Sequence, residues 1–395
     1  MASIHTGRFA MLDKIYKIRE SVDIYVFDED ITDSNSVKVQ FYKINTRKKT
    51  TIQIDKIILD IIKSLDGQNT LEDVRRSLGF TVEVSELVEL IGYLREKGLL
   101  KEVVEESLLK EAEATRYTRQ VNYFDNLIHF QNGEESQYQL MSKKIVIFGL
   151  GATGATIASL LVRAGITNLL LIDPKRIKKS DITRHIYVDQ QNIGQYKAQA
   201  LADYLKKINS RCNASFLTEK LLPSTNLASL LNNDVDLVIN TADEPYIGHI
   251  TLKLGRYLWD KRIALYVSGG FDAHLMSSGE LIYKGLTPCV DCCSQTFQQA
   301  LSDWKPQYSN PAPNIHTKEP DQNEIYKQNS LLTAGGTFGQ SLFSASFAAM
   351  NIIDHLLNNS HSSNKLNQRG EYLINQSQMT WFEMRKQPGC KLCGS

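Results

Sequence analysis

Gly149, Gly151 and Gly154 stand at a spacing that lets main chain wrap an anion. In such a G-x-G-x-x-G run the first glycine permits a tight turn, the second lets backbone approach phosphate, and the third lets a helix close on a strand. The flanking residues suit that use. Ile145 to Phe148 is a short apolar run that reads as a buried parallel strand, and the residues from Gly154 to Leu161 have helical composition. A helix beginning there points its free N–H groups at the anion. A second apolar run, Asn168 to Ile172, ends in Asp173, at the separation where an acidic side chain meets a ribose. The expected chemistry is nucleotide binding on a βαβ unit. The plainer alternative is a βαβ unit with incidental glycines.

Cysteine supplies the second candidate. Cys289 and Cys292, and then Cys390 and Cys393, form two C-x-x-C pairs from distant segments. Neither pair alone completes a tetrahedral shell, and together they give the four thiolates of a closed structural Zn²⁺ site. Two unrelated reduced pairs are the alternative, and Cys293 could replace a neighbour as ligand. Cys212 reads as an ordinary strand-edge residue. Six cysteines in 395 residues are too few for a disulfide scaffold, which points to metal in a reducing compartment.

These residues need elements to carry them. The chain is 42% hydrophobic and 23% charged, the balance of a globular protein, and its length suits two or three domains. Its 45 basic and 44 acidic side chains leave a net charge of +1, so nothing global favours nucleic acid or a membrane surface. No run of transmembrane length is present, the first residues lack a signal peptide's apolar stretch, and a cytoplasmic location is expected. Three alternating segments, Val22 to Val26, Val37 to Phe41 and Thr50 to Ile54, predict strands, the last two joined by a turn over Asn45 to Lys49. Helices are expected over Lys56 to Leu65, Thr70 to Leu78 and Val84 to Lys97, with Gly67 and Gly98 as stops. Glu102 to Glu113 reads as an acidic bridging helix. Phe297 to Asn329 reads as a long loop over the site, and Ser341 to Leu357 as an apolar, small-residue-rich helix expected to pack in the core, with packing across a dimer seam the alternative.

Two resemblances extend this reading. The pattern Leu59 to Gly67, Thr70 to Val74 and Leu90 to Leu100 is similar to winged-helix, PqqD-like domains that recognise the leaders of ribosomally made, modified peptides. It implies that a precursor's leader adds a strand beside the small sheet and packs on the last helix. A DNA-binding or purely stabilising winged helix is the alternative. Further on, Arg116-Tyr-Thr-Arg119-Gln120 resembles the start of ThiF, MoeB and E1-type activating enzymes. Asp181-Ile-Thr-Arg184-His185 resembles the family's N-x-x-R-Q segment, with aspartate for its asparagine and histidine for its glutamine. Gly194 to Ala200 matches its G-x-x-K-x-x-A segment, and Val235 to Asp243 its strand ending in a catalytic aspartate. The expected architecture is α/β: residues 1–105 a small winged-helix recognition domain, and residues 106–395 a Rossmann-like, ATP-binding ThiF/E1 fold with a zinc knuckle.

The resemblance implies ATP and Mg²⁺, with the attacking group a carboxylate. Arg184 and Lys197 would stabilise phosphoryl charge, Asp243 would hold Mg²⁺ and Asp173 the ribose, while Arg119 would reach a neighbouring subunit's nucleotide in a homodimer. A carboxylate is already ionised at neutral pH, so no general base is required. Between Cys293 and Cys390 there is no cysteine, which removes the thioester relay of E1 enzymes. With its peptide-binding front end the chain resembles the microcin-type peptide adenylating enzymes. That likeness implies adenylation of a precursor carboxylate, such as a glutamate side chain, followed by intramolecular condensation. Activation of a sulfur carrier's C-terminus, and an inactive leader-binding scaffold, are the alternatives.

Overall fold

Alternating apolar residues organise the start of the chain, seen here in a computed structural model that describes residues 11–27, 35–103, 106–127, 132–231, 234–243, 247–269, 275–300, 336–357 and 366–394. The elements of the first part are β1 (Ile15–Ile18), β2 (Val22–Phe27), β3 (Ser36–Lys43), β4 (Lys48–Asp55), α1 (Lys56–Ser64), β5 (Asp66–Thr70), α2 (Leu71–Ser77), α3 (Val84–Glu96) and β6 (Leu100–Val103). Strands β2, β3 and β4 form an antiparallel meander, and Arg47 in the β3–β4 turn takes a left-handed φ of 56°. Val37, Val39 and Phe41 of β3 pack with Ile61 and Ile62 of α1 and with Leu87, Ile91 and Leu94 of α3. A capping box starts α2: Thr70 Oγ1 accepts from Asp73 N–H, and Thr70 N–H donates back to the Asp73 carboxylate.

The three expected strands and three expected helices are present, and a second sheet joins them, in the order β5-β1-β6. Gly67, expected to stop a helix, lies inside β5 with φ 87°. The acidic bridge also differs from expectation. Glu102 belongs to β6, opposite Tyr16 of β1, because its backbone finds partners on β1 and its side chain pairs with Lys14 at 2.7 Å. The helix begins later, as α4 (Glu111–Leu127). Cα packing divides the chain into units Met1–Gln139 and Leu140–Ser395. Helix α4 stays with the first unit, because buried Asp125 accepts from Gly133 N–H at 2.7 Å and Lys101 Nζ at 3.2 Å and faces Arg19 at 3.6 Å. Helix α5 (Gly133–Met141) follows.

The second unit alternates strand and helix: β7 (Lys144–Phe148), α6 (Ala152–Arg163), β8 (Asn168–Ile172), α7 (Lys197–Ile208), β9 (Asn213–Leu217), β10 (Leu237–Asn240), α8 (Ile247–Lys261), β11 (Ala264–Val267), β12 (Leu275–Ser277), β13 (Glu280–Ile282), α9 (Val290–Ala300), α10 (Phe338–Leu356), β14 (Gln368–Leu373) and β15 (Gln378–Glu383). Six strands form one sheet in the order β13-β11-β10-β7-β8-β9, parallel except for β13. Every residue of β10 and β11 is buried, which is why these strands read as continuous apolar runs. Helix α10 packs on α6, with Ala345, Ala348, Ala349 and Ile352 buried, as its small-residue composition predicts. The long loop expected from Phe297 differs at its start, because Phe297 to Ala300 continue α9; residues 301–335 lie outside the described residues.

Candidate nucleotide site and cysteine cluster

In the six-stranded sheet, β8 and β9 extend from one side of β7, and β10 and β11 from the other. Ligands in open α/β sheets sit beyond the strand carboxyl ends at such a reversal. Gly149 follows the C-terminal end of β7, Asp173 that of β8, and Asp243 lies three residues past β10.

The three glycines divide their duties as the spacing predicts. Gly149 has φ 84°, and a Cβ there would strike the backbone of Ala242. A Cβ on Gly154 would strike Gly149 O and Thr241 Oγ1, so close contact among the glycine loop, α6 and the segment after β10 depends on it. Gly151 is the N-cap of α6, and a Cβ there would meet nothing within 4 Å. Other residues hold the loop in place. Leu150 N–H donates to Asp173 Oδ2 at 2.7 Å, Tyr187 Oη donates to Leu150 O at 3.0 Å, and Thr241 Oγ1 donates to Gly149 O at 2.6 Å. Asp173 is only 6% exposed and also accepts from Lys175 N–H at 2.8 Å. The residue expected at the ribose therefore also fixes the loop. Burial and the nearby Asp173 carboxylate push the Tyr187 hydroxyl above its usual range, so it remains a donor.

Arg184 and Lys197 meet at Asp181. The carboxylate lies in a single 3-10 turn, Lys179–Thr183, where Oδ2 accepts from Lys178 N–H at 2.9 Å and Lys197 Nζ at 3.2 Å. Oδ1 faces Arg184 Nη2 and His185 Nε2, each at 3.6 Å. Burial, reinforced by Lys197, depresses the His185 imidazole to about 4, so the ring is neutral near pH 7. Asp243 is largely exposed, with Lys175 Nζ 4.0 Å from its Oδ1. Sequence reasoning treated Asp181 only as a departure from a pattern and did not single out Lys175, Tyr187 or Thr241. The spacing of Asp181 to Arg184 and His185, three and four residues, was the available signal. Arg119 lies on α4 of the first unit.

The cysteines converge. Cys289 Sγ lies 3.5 Å from Cys390 Sγ, Cys292 Sγ lies 3.6 Å from Cys393 Sγ, and all four sulfurs fall within 4.8 Å of one another. A Zn–S bond of 2.3 Å gives a tetrahedral edge of about 3.8 Å, so the spacing suits that ion. Gln387 N–H donates to Cys292 Sγ at 3.3 Å. Cys293 turns instead to Pro288 O, at 3.8 Å, and is not one of the four.

Residues 119–393 match the ThiF family. The chain belongs to the ThiF family. The matched span holds every site residue described above. Among ThiF relatives, the adenylyltransferase and sulfurtransferase uba4 of Aspergillus niger is 31% identical over 137 residues, 35% of this chain. The match covers about a quarter of that relative's length, 27%. Two solved structures share the fold. MccB of Escherichia coli superposes with a TM-score of 0.70 at 18% identity, covering 96% of this chain and 97% of MccB. PaaA superposes with a TM-score of 0.68 at 18% identity, covering 93% of this chain and all of PaaA. MccB has been seen with ATP and, as a microcin C7 biosynthetic enzyme, with N-formylated MccA.

Proposed function

We propose that this ThiF-family chain activates a carboxylate of a ribosomally made precursor peptide as an acyl adenylate, in the biosynthesis of a peptide natural product, and that condensation within the peptide follows. The observation that carries the reading is the gathering of Arg184 and Lys197 on Asp181 in the unit whose glycine loop leaves Gly151 facing open space.

A peptide carboxylate oxygen attacks the α-phosphorus of ATP, the bond to pyrophosphate breaks, and an acyl adenylate remains. Charge grows on phosphoryl oxygens and on the departing pyrophosphate, and Arg184 and Lys197 meet it with cations already in place. Asp173 orders the loop and offers its remaining lone pairs to the ribose. Asp243 would hold Mg²⁺, an ion normally carried by one or two carboxylates and the substrate's own phosphates, which supplies charge neutralisation there. A neighbouring amide nitrogen or carbon of the peptide then attacks the acyl carbon and AMP leaves. Proximity within one bound peptide takes the place of a second catalytic cysteine.

The first unit is the leader-binding module in this reading. Strand β2 ends its sheet and exposes Tyr25, Val26 and Phe27, at 48%, 42% and 44%, an apolar edge suited to an added strand. Seen with MccA, MccB supplies the precedent in a shared fold. The cysteine cluster would hold one structural Zn²⁺. A cytoplasmic homodimer completes the proposal: Arg119 would serve a neighbour's nucleotide, and α10 exposes Leu342 and Met350 on the face that also carries Phe343 and Phe347. Among the described residues no helix is long and apolar enough to cross a membrane. The match to an adenylyltransferase and sulfurtransferase favours a second reading, adenylation of a sulfur carrier's C-terminus.

Incubation of the chain with a candidate precursor, ATP and Mg²⁺ tests the proposal. Pyrophosphate and AMP should form, with ¹⁸O from a labelled carboxylate appearing in AMP. Release of ADP and phosphate instead would mean an acyl phosphate and end the adenylation reading. Asp243→Ala and Lys197→Ala should each lower the rate on the order of a hundredfold or more while leader binding persists.

A further inference from the structure

Lys197 occupies an unfavourable place for a cation. It is the first residue of α7, where the helix dipole repels positive charge, and no acidic residue stands in that first turn. Its side chain is only 9% exposed. Its backbone N–H donates to Lys175 O at 2.9 Å, which fixes where the side chain starts. The charged groups around it include Arg184 from the turn after the Lys179–Thr183 segment and Lys175 from the loop after β8, both cations that bear on His185. Lys175 has Asp243 Oδ1 at 4.0 Å, while Lys197 and Arg184 share the carboxylate of Asp181, itself 4% exposed. Its position is fixed by Lys178 N–H at 2.9 Å, and His185 Nε2 lies 3.6 Å from its other oxygen. The His185 ring is stacked on Tyr187, with centroids 5.8 Å apart, and Tyr187 in turn holds Leu150 O of the glycine loop. A continuous chain of side chains therefore runs from the loop through Tyr187, His185 and Asp181 to the ammonium. Asp181 and His185 are the two positions that depart from the family's N-x-x-R-Q segment, and the fold sets them side by side.

We infer that Asp181, braced by His185, is a positioning residue whose carboxylate holds the Lys197 ammonium in one place. The inference rests on the reading of the glycine loop as an ATP site. Lys197 is the group that meets phosphate; Asp181 acts through it. An amide at position 181 could still accept from Lys178 N–H and Lys197 Nζ, but it would bring no charge. A buried ammonium left beside Arg184 and a helix N-terminus, without its carboxylate, gives up its proton more readily.

ATP affinity of the full chain, measured by calorimetry from neutral to alkaline pH, and pyrophosphate exchange with a precursor peptide over the same range, test this. In Asp181→Asn the alkaline loss of ATP binding should begin about one pH unit or more below that of the parent. Asp181→Asn combined with Lys197→Arg should abolish the shift, because a guanidinium does not deprotonate in this range. His185→Gln keeps the carboxylate, so ATP binding should weaken by a similar factor at every pH with the alkaline limb unmoved. A uniform loss in Asp181→Asn, a shift that survives Lys197→Arg, or a moved limb in His185→Gln would each overturn the inference. The last of these remains decisive even if Asp181→Asn does not fold. If the parent binds ATP yet exchanges no pyrophosphate, the adenylation proposal fails while the shift in ATP binding still decides the role of Asp181.

Discussion

Three glycines of one motif do three different things, and substitution separates them. A methyl on Gly154 has no room between Gly149 O and Thr241 Oγ1. Gly154→Ala should therefore cost at least about 1–3 kcal/mol, visible as a lowered melting temperature, with ATP binding lost as the loop shifts. A methyl on Gly151 meets only open space, and its φ of −70° suits any residue. Gly151→Ala should melt with the parent, yet bind ATP about tenfold more weakly in calorimetry, because in the proposed ATP site the methyl would stand where phosphate approaches. Equal destabilisation by both substitutions would mean that Gly151 serves packing. The motif announced all three residues in sequence. That their surroundings differ became visible only once the segment after β10 lay against the loop.

Among the elements, α4 shows how a sequence can mislead about which piece a helix joins. The acidic stretch from Glu102 reads as a bridging helix, yet its beginning is strand β6, and the helix that follows is tied back by Asp125. Arg19 has a side chain only 4% exposed, it faces Asp125 at 3.6 Å, and its Nε donates to Leu100 O at 3.3 Å. Burial lowers the Arg19 guanidinium below its usual range, and the Asp125 carboxylate works against that. Asp125→Ala would leave that buried charge unpaired, and Lys101 with only Glu20, at 2.8 Å. A loss of about 3–5 kcal/mol is expected in denaturant titrations of the full chain. An unchanged transition would mean that the pair is dispensable. The same contacts tie α4 and the start of α5 to the first unit, Met1–Gln139.

At the scale of the molecule, one cluster joins segments far apart in the chain: Cys289 and Cys390 are 101 positions apart, as are Cys292 and Cys393. Metal analysis of freshly purified protein should give one zinc per chain. Cys390→Ser, or exposure to a strong chelator, should lower the melting temperature by several degrees, since a closed Cys₄ site contributes directly to folding. Zinc-free protein as stable as the loaded form would refute the site. By itself, the sequence determined what local pattern can carry: the apolar runs of β7, β8 and β10, the G-x-G-x-x-G turn, the helices of the first unit and the two cysteine pairs. These depend on period, on glycine's missing side chain and on ligand type, which are properties of neighbouring residues. Only the tertiary structure decided that β5, β1 and β6 form a sheet, for their bonds are main-chain bonds between segments with weak side-chain patterns. It also decided that Cys293 stands outside the cluster, because its sulfur turns to Pro288 O. Asp181, Arg184, His185 and Lys197 likewise became one polar cluster only in three dimensions, where the fold brings two cations and an imidazole to the same buried carboxylate.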